Sequence, residues 1–174
     1  MTLAFSTKLK DGTPNYFPQK IIKGWRTDIW NKAASFSACN GKHGCDYINS
    51  SDYEDLNPKK HTIRDDKKNR WKVGNLIHPV INNRTPERFQ FAPITKCTGV
   101  QKIEISHFSD HVEFIIDDKF FGNVFHHGLD MVYEYHNCIR ELAVNDGFDS
   151  IEQFLKWFDK DFTGKIIHWT DLKY

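Results

Sequence analysis

Five short segments, residues 61–64, 76–81, 89–91, 100–105 and 112–116, follow one another at short intervals and read as strands. Over 100–105 the alternation is clear: Val100 and Lys102 share one face, while Gln101, Ile103 and Ile105 share the other. Residues 3–9 alternate more loosely and read as an earlier strand, closed by the turn pair Asp11-Gly12. Residues 165–169 form a short β-rich segment placed to pair back into the sheet.

Helical spacing flanks these strands. From Pro18, which suits a first helical turn, Ile21, Ile22, Trp25, Ile29 and Trp30 recur at helical intervals, with Gly24 weakening the pattern. Leu129, Val132, Tyr133, His136, Arg140 and Ala143 predict a helix over 129–143, ended by Asp146-Gly147. Ser150-Ile151-Glu152-Gln153 is a capping box that opens a second helix through Phe154, Leu155 and Phe158. Residues 31–57, rich in Ser, Asn, Asp and Gly and without a sustained period, read as a loop insertion. The pattern predicts an α+β fold built on a small mixed β-barrel with flanking helices. A length of 174 residues fits a single domain over 1–174.

The 14% aromatic content supports a compact core. No apolar run is long enough for a membrane helix, and the first residues lack the apolar stretch of a signal peptide, so a cytoplasmic protein is expected. Four cysteines are too few for a disulfide scaffold and are read as reduced thiols. Charge is unevenly distributed. Residues 1–108 carry 18 Lys/Arg against 10 Asp/Glu, and residues 109–174 carry 6 against 13. Between 59 and 72 stand Lys59, Lys60, Arg64, Lys67, Lys68, Arg70 and Lys72, with only Asp65 and Asp66 opposing them. Such a run attracts phosphate backbones, and its plain alternative is a solvated charged face.

On an extended strand, Lys60, Thr62 and Arg64 share one face and Lys59, His61 and Ile63 the other. If the strand begins at Lys60 or His61, Lys59 sits in the preceding turn and can fold over the Thr62 face. A threonine hydroxyl needs a nearby base to act as a nucleophile, and a lysine serves when burial or neighbouring cations depress its pKa. An exposed basic strand, with Thr62 present for its β-propensity, is the structural alternative.

The run Lys59-Lys60-His61-Thr62-Ile63-Arg64-Asp65, followed by Arg70-Trp71-Lys72-Val73-Gly74, resembles the signature of ASCH domains in the PUA-like superfamily. Leu142-Ala143-Val144-Asn145-Asp146-Gly147-Phe148 and the aromatic stretch 154–162 resemble the helix and acidic-glycine turn that follow that family's central strands. The resemblance covers most of the chain outside the insertion. It implies a β-barrel with a nucleotide-sized cleft that binds RNA or a modified nucleoside, with Lys60, Arg64, Lys67, Lys68, Arg70 and Trp71 as binding residues. One branch of the family removes the acetyl group from N4-acetylcytidine. Its implied catalytic set falls by position on Lys59, Thr62 and Asp146, although that branch carries a glutamate where Asp146 stands and Glu141 lies nearby. Ribonuclease activity and binding of a host factor by a phage protein are further alternatives. No cofactor is implied.

Other candidates carry less. Cys39, His43 and Cys45 offer three zinc ligands, but their spacing is not that of a standard knuckle, and no metal is assigned. His107 and His111, or His126 and His127, read better as satisfied or solvated side chains. Phe154, Trp157, Phe158, Phe162 and Trp169 read as core rather than as base-stacking platforms.

Overall fold

The computed structural model describes residues 1–24, 55–127 and 132–174. Among these described residues, ten strands and three helices appear in the order β1 (Thr2–Ala4), α1 (Phe17–Lys23), β2 (His61–Arg64), β3 (Leu76–Ile81), β4 (Phe89–Gln90), β5 (Thr95–Lys96), β6 (Gly99–His107), β7 (His111–Ile116), β8 (Lys119–His127), β9 (Val132–Tyr135), α2 (Asn137–Asn145), α3 (Ile151–Trp157) and β10 (Phe162–His168). The larger sheet runs β2-β10-β6-β7-β8-β9, with every neighbouring pair antiparallel. In the smaller sheet, β3 pairs parallel with β1 and antiparallel with β4 and β5. The α+β class is as expected, but among the described residues the strands form two sheets and close no barrel.

Two adjacent residues on β10 explain how the sheets share one protein. Successive strand side chains point to opposite faces. Ile166 enters a core with Ile63, Ile103, Phe114, Leu142 and Phe154, whereas Ile167 enters another with Leu3, Phe5, Ile77, Phe91 and Trp169. The larger sheet is therefore covered by α2 and α3 on one face and by the smaller sheet on the other. Helix α1 spans both cores, giving Phe17 to the first and Ile21 and Ile22 to the second.

Several expectations shift. The helical spacing over 129–143 resolves into strand β9 and helix α2, because Val132–Tyr135 pairs along β8 from His127↔Val132 to Val124↔Tyr135. Strand β8, absent from the sequence reading, follows β7 through the two-residue turn Asp117-Asp118, whose φ values of 49° and 61° are those a tight hairpin turn requires. The helix from Pro18 stops at Lys23; Trp25, Ile29 and Trp30 lie outside the described residues, as do most of the 31–57 insertion and Cys39, His43 and Cys45. The helix opens at Ser150 as expected, with its Oγ accepting from the Gln153 N–H at 3.3 Å, while Gln153 Oε1 accepts from the Asp149 N–H at 3.1 Å instead of from the Ser150 N–H. Among the described residues no helix is long and apolar enough to cross a membrane.

β10 also approaches β2 closely at Gly164. A Cβ on Gly164 would stand 2.5 Å from the Arg64 carbonyl oxygen and 2.5 Å from the Phe162 ring. The ring can turn away, but the carbonyl belongs to the neighbouring strand and cannot. Gly164→Ala is expected to destabilise the fold by about 1–3 kcal/mol through this overpacking, read as a lower urea midpoint. An unchanged midpoint would contradict the packing described.

Candidate functional site

The chain enters β2 between two helices. The Lys59 N–H donates to the Lys20 carbonyl of α1 at 2.9 Å, and the Lys60 N–H donates to the Asn145 carbonyl of α2 at 2.8 Å. These bonds press Lys59 against the C-terminal end of α2, where the unpaired carbonyls carry partial negative charge. Its side chain is 1% exposed, and Nζ donates to Asp146 Oδ1 at 2.5 Å and also to the Asp146 carbonyl. The same Oδ1 accepts from the Ile63 N–H at 3.2 Å. Nζ further sits 4.5 Å above the Phe17 ring. A second lysine completes the helix end, with Lys20 Nζ donating to the Gly147 carbonyl at 2.8 Å and to Asp149 Oδ1 at 2.6 Å.

Gly147 is what lets Lys59 through. Its φ of +92° suits glycine, and a Cβ there would stand 2.9 Å from Lys59 Cδ. Burial disfavours both charges of the pair. It holds the Lys59 ammonium down to about 8 and pushes the Asp146 carboxyl upward, while their mutual attraction opposes both shifts.

Histidines extend this polar cluster along the same face. His61, fully buried, pairs in register with His168 of β10, and their ring centres lie 5.3 Å apart. His61 Nδ1 is 3.8 Å from Asp146 Oδ1, and Nε2 is 2.8 Å from the Tyr174 hydroxyl, which also accepts from Asn145 Nδ2 at 3.0 Å. His61 Nδ1 and both nitrogens of His168 have no hydrogen-bond partner among the described residues. Burial drives both rings toward the neutral form. His61 lies well below the usual imidazole range, pushed further by Lys59, His168 and Lys60. His168 is held at about 4, with Lys173 lowering it further and Asp117 opposing.

The remaining sequence candidates separate. Alternation puts Thr62, opposite Ile167, on the small-sheet face, away from the face shared by His61 and Ile63. No hydrogen bond joins Lys59 to Thr62 among the described residues. Arg64 is spent within the protein: Nη2 donates to the Ala4 carbonyl at 2.6 Å and the guanidinium lies 5.2 Å from the Phe5 ring centre. Trp71 is buried in the small-sheet core, with its N–H held by Asp66 Oδ2 at 2.9 Å, so it lines no surface. Lys67, Lys68, Arg70 and Lys72 are exposed, and Lys60 is half-buried. Phe154 and Phe158 lie in the helical core with Trp157 and Phe162 against it, and Trp169 lies in the other core. His107 bonds the Phe158 carbonyl and His111 bonds Asp110, and no group of three or more potential metal ligands occurs among the described residues.

His61 was placed beside Lys59 by strand alternation alone. His168 and Tyr174 carry no local signal, because only strand pairing and the path of the last residues bring them here. No family model matches this chain, and no match is found among curated proteins or solved structures.

The buried histidines tie stability to acid. The unfolded chain takes up the His168 proton near the ordinary 6.5 and the folded chain only near 4, so stability present above pH 6.5 is lost as pH falls through that interval. Each pH unit is worth about 1.4 kcal/mol. His168→Phe, which cannot titrate, is expected to lose about 3 kcal/mol less than the parent between pH 6.5 and 4 in urea titrations. Identical pH dependence in both proteins would show that His168 is not buried neutral.

Proposed function

We propose that the protein is an RNA- or modified-nucleoside-binding domain of the ASCH, PUA-like type that recognises its ligand without catalysis. The observation that carries this reading is the division of labour within one basic segment. Lys59 and Arg64 are drawn inside and bonded to protein acceptors, while Lys67, Lys68, Arg70 and Lys72 remain on the surface of the loop that follows β2. Cations that are not consumed by the fold are available to phosphates. Lys67 Nζ lies 3.6 Å from Asp65 Oδ2, with its side chain 86% exposed, and Arg70 Nε is 3.9 Å from Asp66. The Lys67–Asp65 pair is exposed on both sides and weak enough to be exchanged for a phosphate, and the Arg70 side chain is exposed although Asp66 is buried.

Deacetylation of N4-acetylcytidine is the second reading. The depressed Lys59 ammonium favours it, since a lysine near 8 has an accessible neutral form. Against it stands the placement of Thr62 on the opposite strand face, together with the bonding of Lys59 Nζ to Asp146 rather than to a hydroxyl. A nucleophile and its base must lie within hydrogen-bond reach. Binding is therefore the better-supported function.

Affinity for single-stranded RNA is expected to fall as salt rises. Replacing Lys67, Lys68 and Arg70 together with Ala should reduce the log–log slope by about 2, since each phosphate contact contributes about 0.7. Fluorescence anisotropy across a salt series reads both slopes. No RNA retention at low salt, or equal slopes, would overturn the assignment of this loop.

A further inference from the structure

The half-buried ring of Tyr174 is held by the polar cluster described above. Its centre lies 5.4 Å from His61, 6.1 Å from His168 and 5.4 Å from Phe121, so aromatic rings surround it. Its hydroxyl is 2.8 Å from His61 Nε2 and accepts from Asn145 Nδ2 at 3.0 Å. In the neutral tautomer that leaves His61 Nε2 as acceptor, the phenol O–H donates to it, so the one oxygen both donates to a ring nitrogen and accepts from an amide. A pyrimidine base presents the same pair on one edge, as in the amino group and neighbouring ring nitrogen of cytosine.

The segment carrying this ring is held at its edge by hydrogen bonds at Thr170, Leu172 and Tyr174. Asp171 and Lys173 are exposed, and Leu172 is only half-buried. Thr98 Oγ1 donates to the Thr170 carbonyl at 2.5 Å, the Tyr174 main-chain N–H donates to Gln101 Oε1 at 2.9 Å, and Gln101 Nε2 donates to the Tyr174 main-chain oxygen at 2.7 Å. Gln101 Nε2 is also held by Asp117 at 2.9 Å, so it stays in place whether or not Tyr174 does. The unpartnered nitrogens of His61 and His168, both fully buried, add polar capacity that the tyrosine leaves unused.

From this geometry we infer that His61, Asn145, His168 and Phe121 form a subsite for a pyrimidine base, and that Tyr174 is its resident occupant, displaced when the base enters. The inference rests on the nucleoside-binding reading and supplies its base-recognition site. The occupant lowers apparent affinity by the fraction of molecules whose site is open. A site closed in about nine molecules of ten would raise the apparent Kd about tenfold.

Cytidine is the probe, titrated by calorimetry into the parent, Tyr174→Ala, and Tyr174→Ala combined with His61→Ala. Tyr174→Ala is expected to bind cytidine about tenfold more tightly than the parent, and His61→Ala in that background should remove the gain. Ribose 5-phosphate, which has no base, should bind the parent and Tyr174→Ala alike. If Tyr174→Ala does not fold, Tyr174→Phe keeps the ring, loses both hydroxyl bonds and should show a smaller gain in the same direction. Unchanged or weaker cytidine binding in the folded variant overturns the inference. Should that occur while the parent still retains RNA in a salt-dependent manner, only the subsite falls. Loss of RNA retention by the parent defeats the broader reading instead.

Discussion

The contact between Lys59 and Asp146 is the constraint around which the rest of the site is arranged. Two opposite charges removed from water persist only when their remaining hydrogen-bonding capacity is met. The fold meets it with an Asp146 carbonyl for the ammonium, the Ile63 N–H for the carboxylate and the face of Phe17 beneath Nζ. Those partners come from α1, β2 and the end of α2. The pair thus fixes where three elements meet. Gly147 must be glycine at that junction for both its backbone conformation and the passage of the lysine stem.

Strand β10 supplies the other half of the arrangement. By directing Ile166 into one core and Ile167 into the other, it holds the two sheets in a single body and carries His168 to the level of His61. The polar cluster then lies on the helical face of the larger sheet, while Thr62 and Arg64 go to the small-sheet face. One strand therefore contributes to two environments. A basic motif that reads as a single feature in the sequence is divided by the pleat into an interior part and a surface part.

How much of this was legible follows from how local each signal is. Strands β2, β3 and β7 lie where their apolar runs place them, and the start of α3 is spelled out by Ser150 and Gln153. The failures arise where spacing is ambiguous or the partner is remote. Val132, Tyr133 and His136 satisfy helical spacing, yet Val132–Tyr135 is rich in β-branched and aromatic residues and is taken by the β8 edge. Gly122 and Asn123 interrupt the pattern of β8, whose identity depends on the Asp117-Asp118 turn. At the site, Lys59 and Asp146 could be named from the ASCH resemblance, and their contact is a matter of packing. Trp71 reads as a binding residue in a basic run, but its burial depends on how β1 and β3 pack around it, which no local pattern reveals. Tyr174 was invisible for the same reason.

Titration of the Lys59 ammonium by heteronuclear NMR tests the account most directly, since it reads the charge at the centre of the site without perturbing it. The structure predicts a midpoint near 8 for the Lys59 resonance, assigned by its loss in Lys59→Met. A Lys59 midpoint at or above the ordinary lysine value of about 10.4 would contradict the account, because burial would then not outweigh the attraction of Asp146.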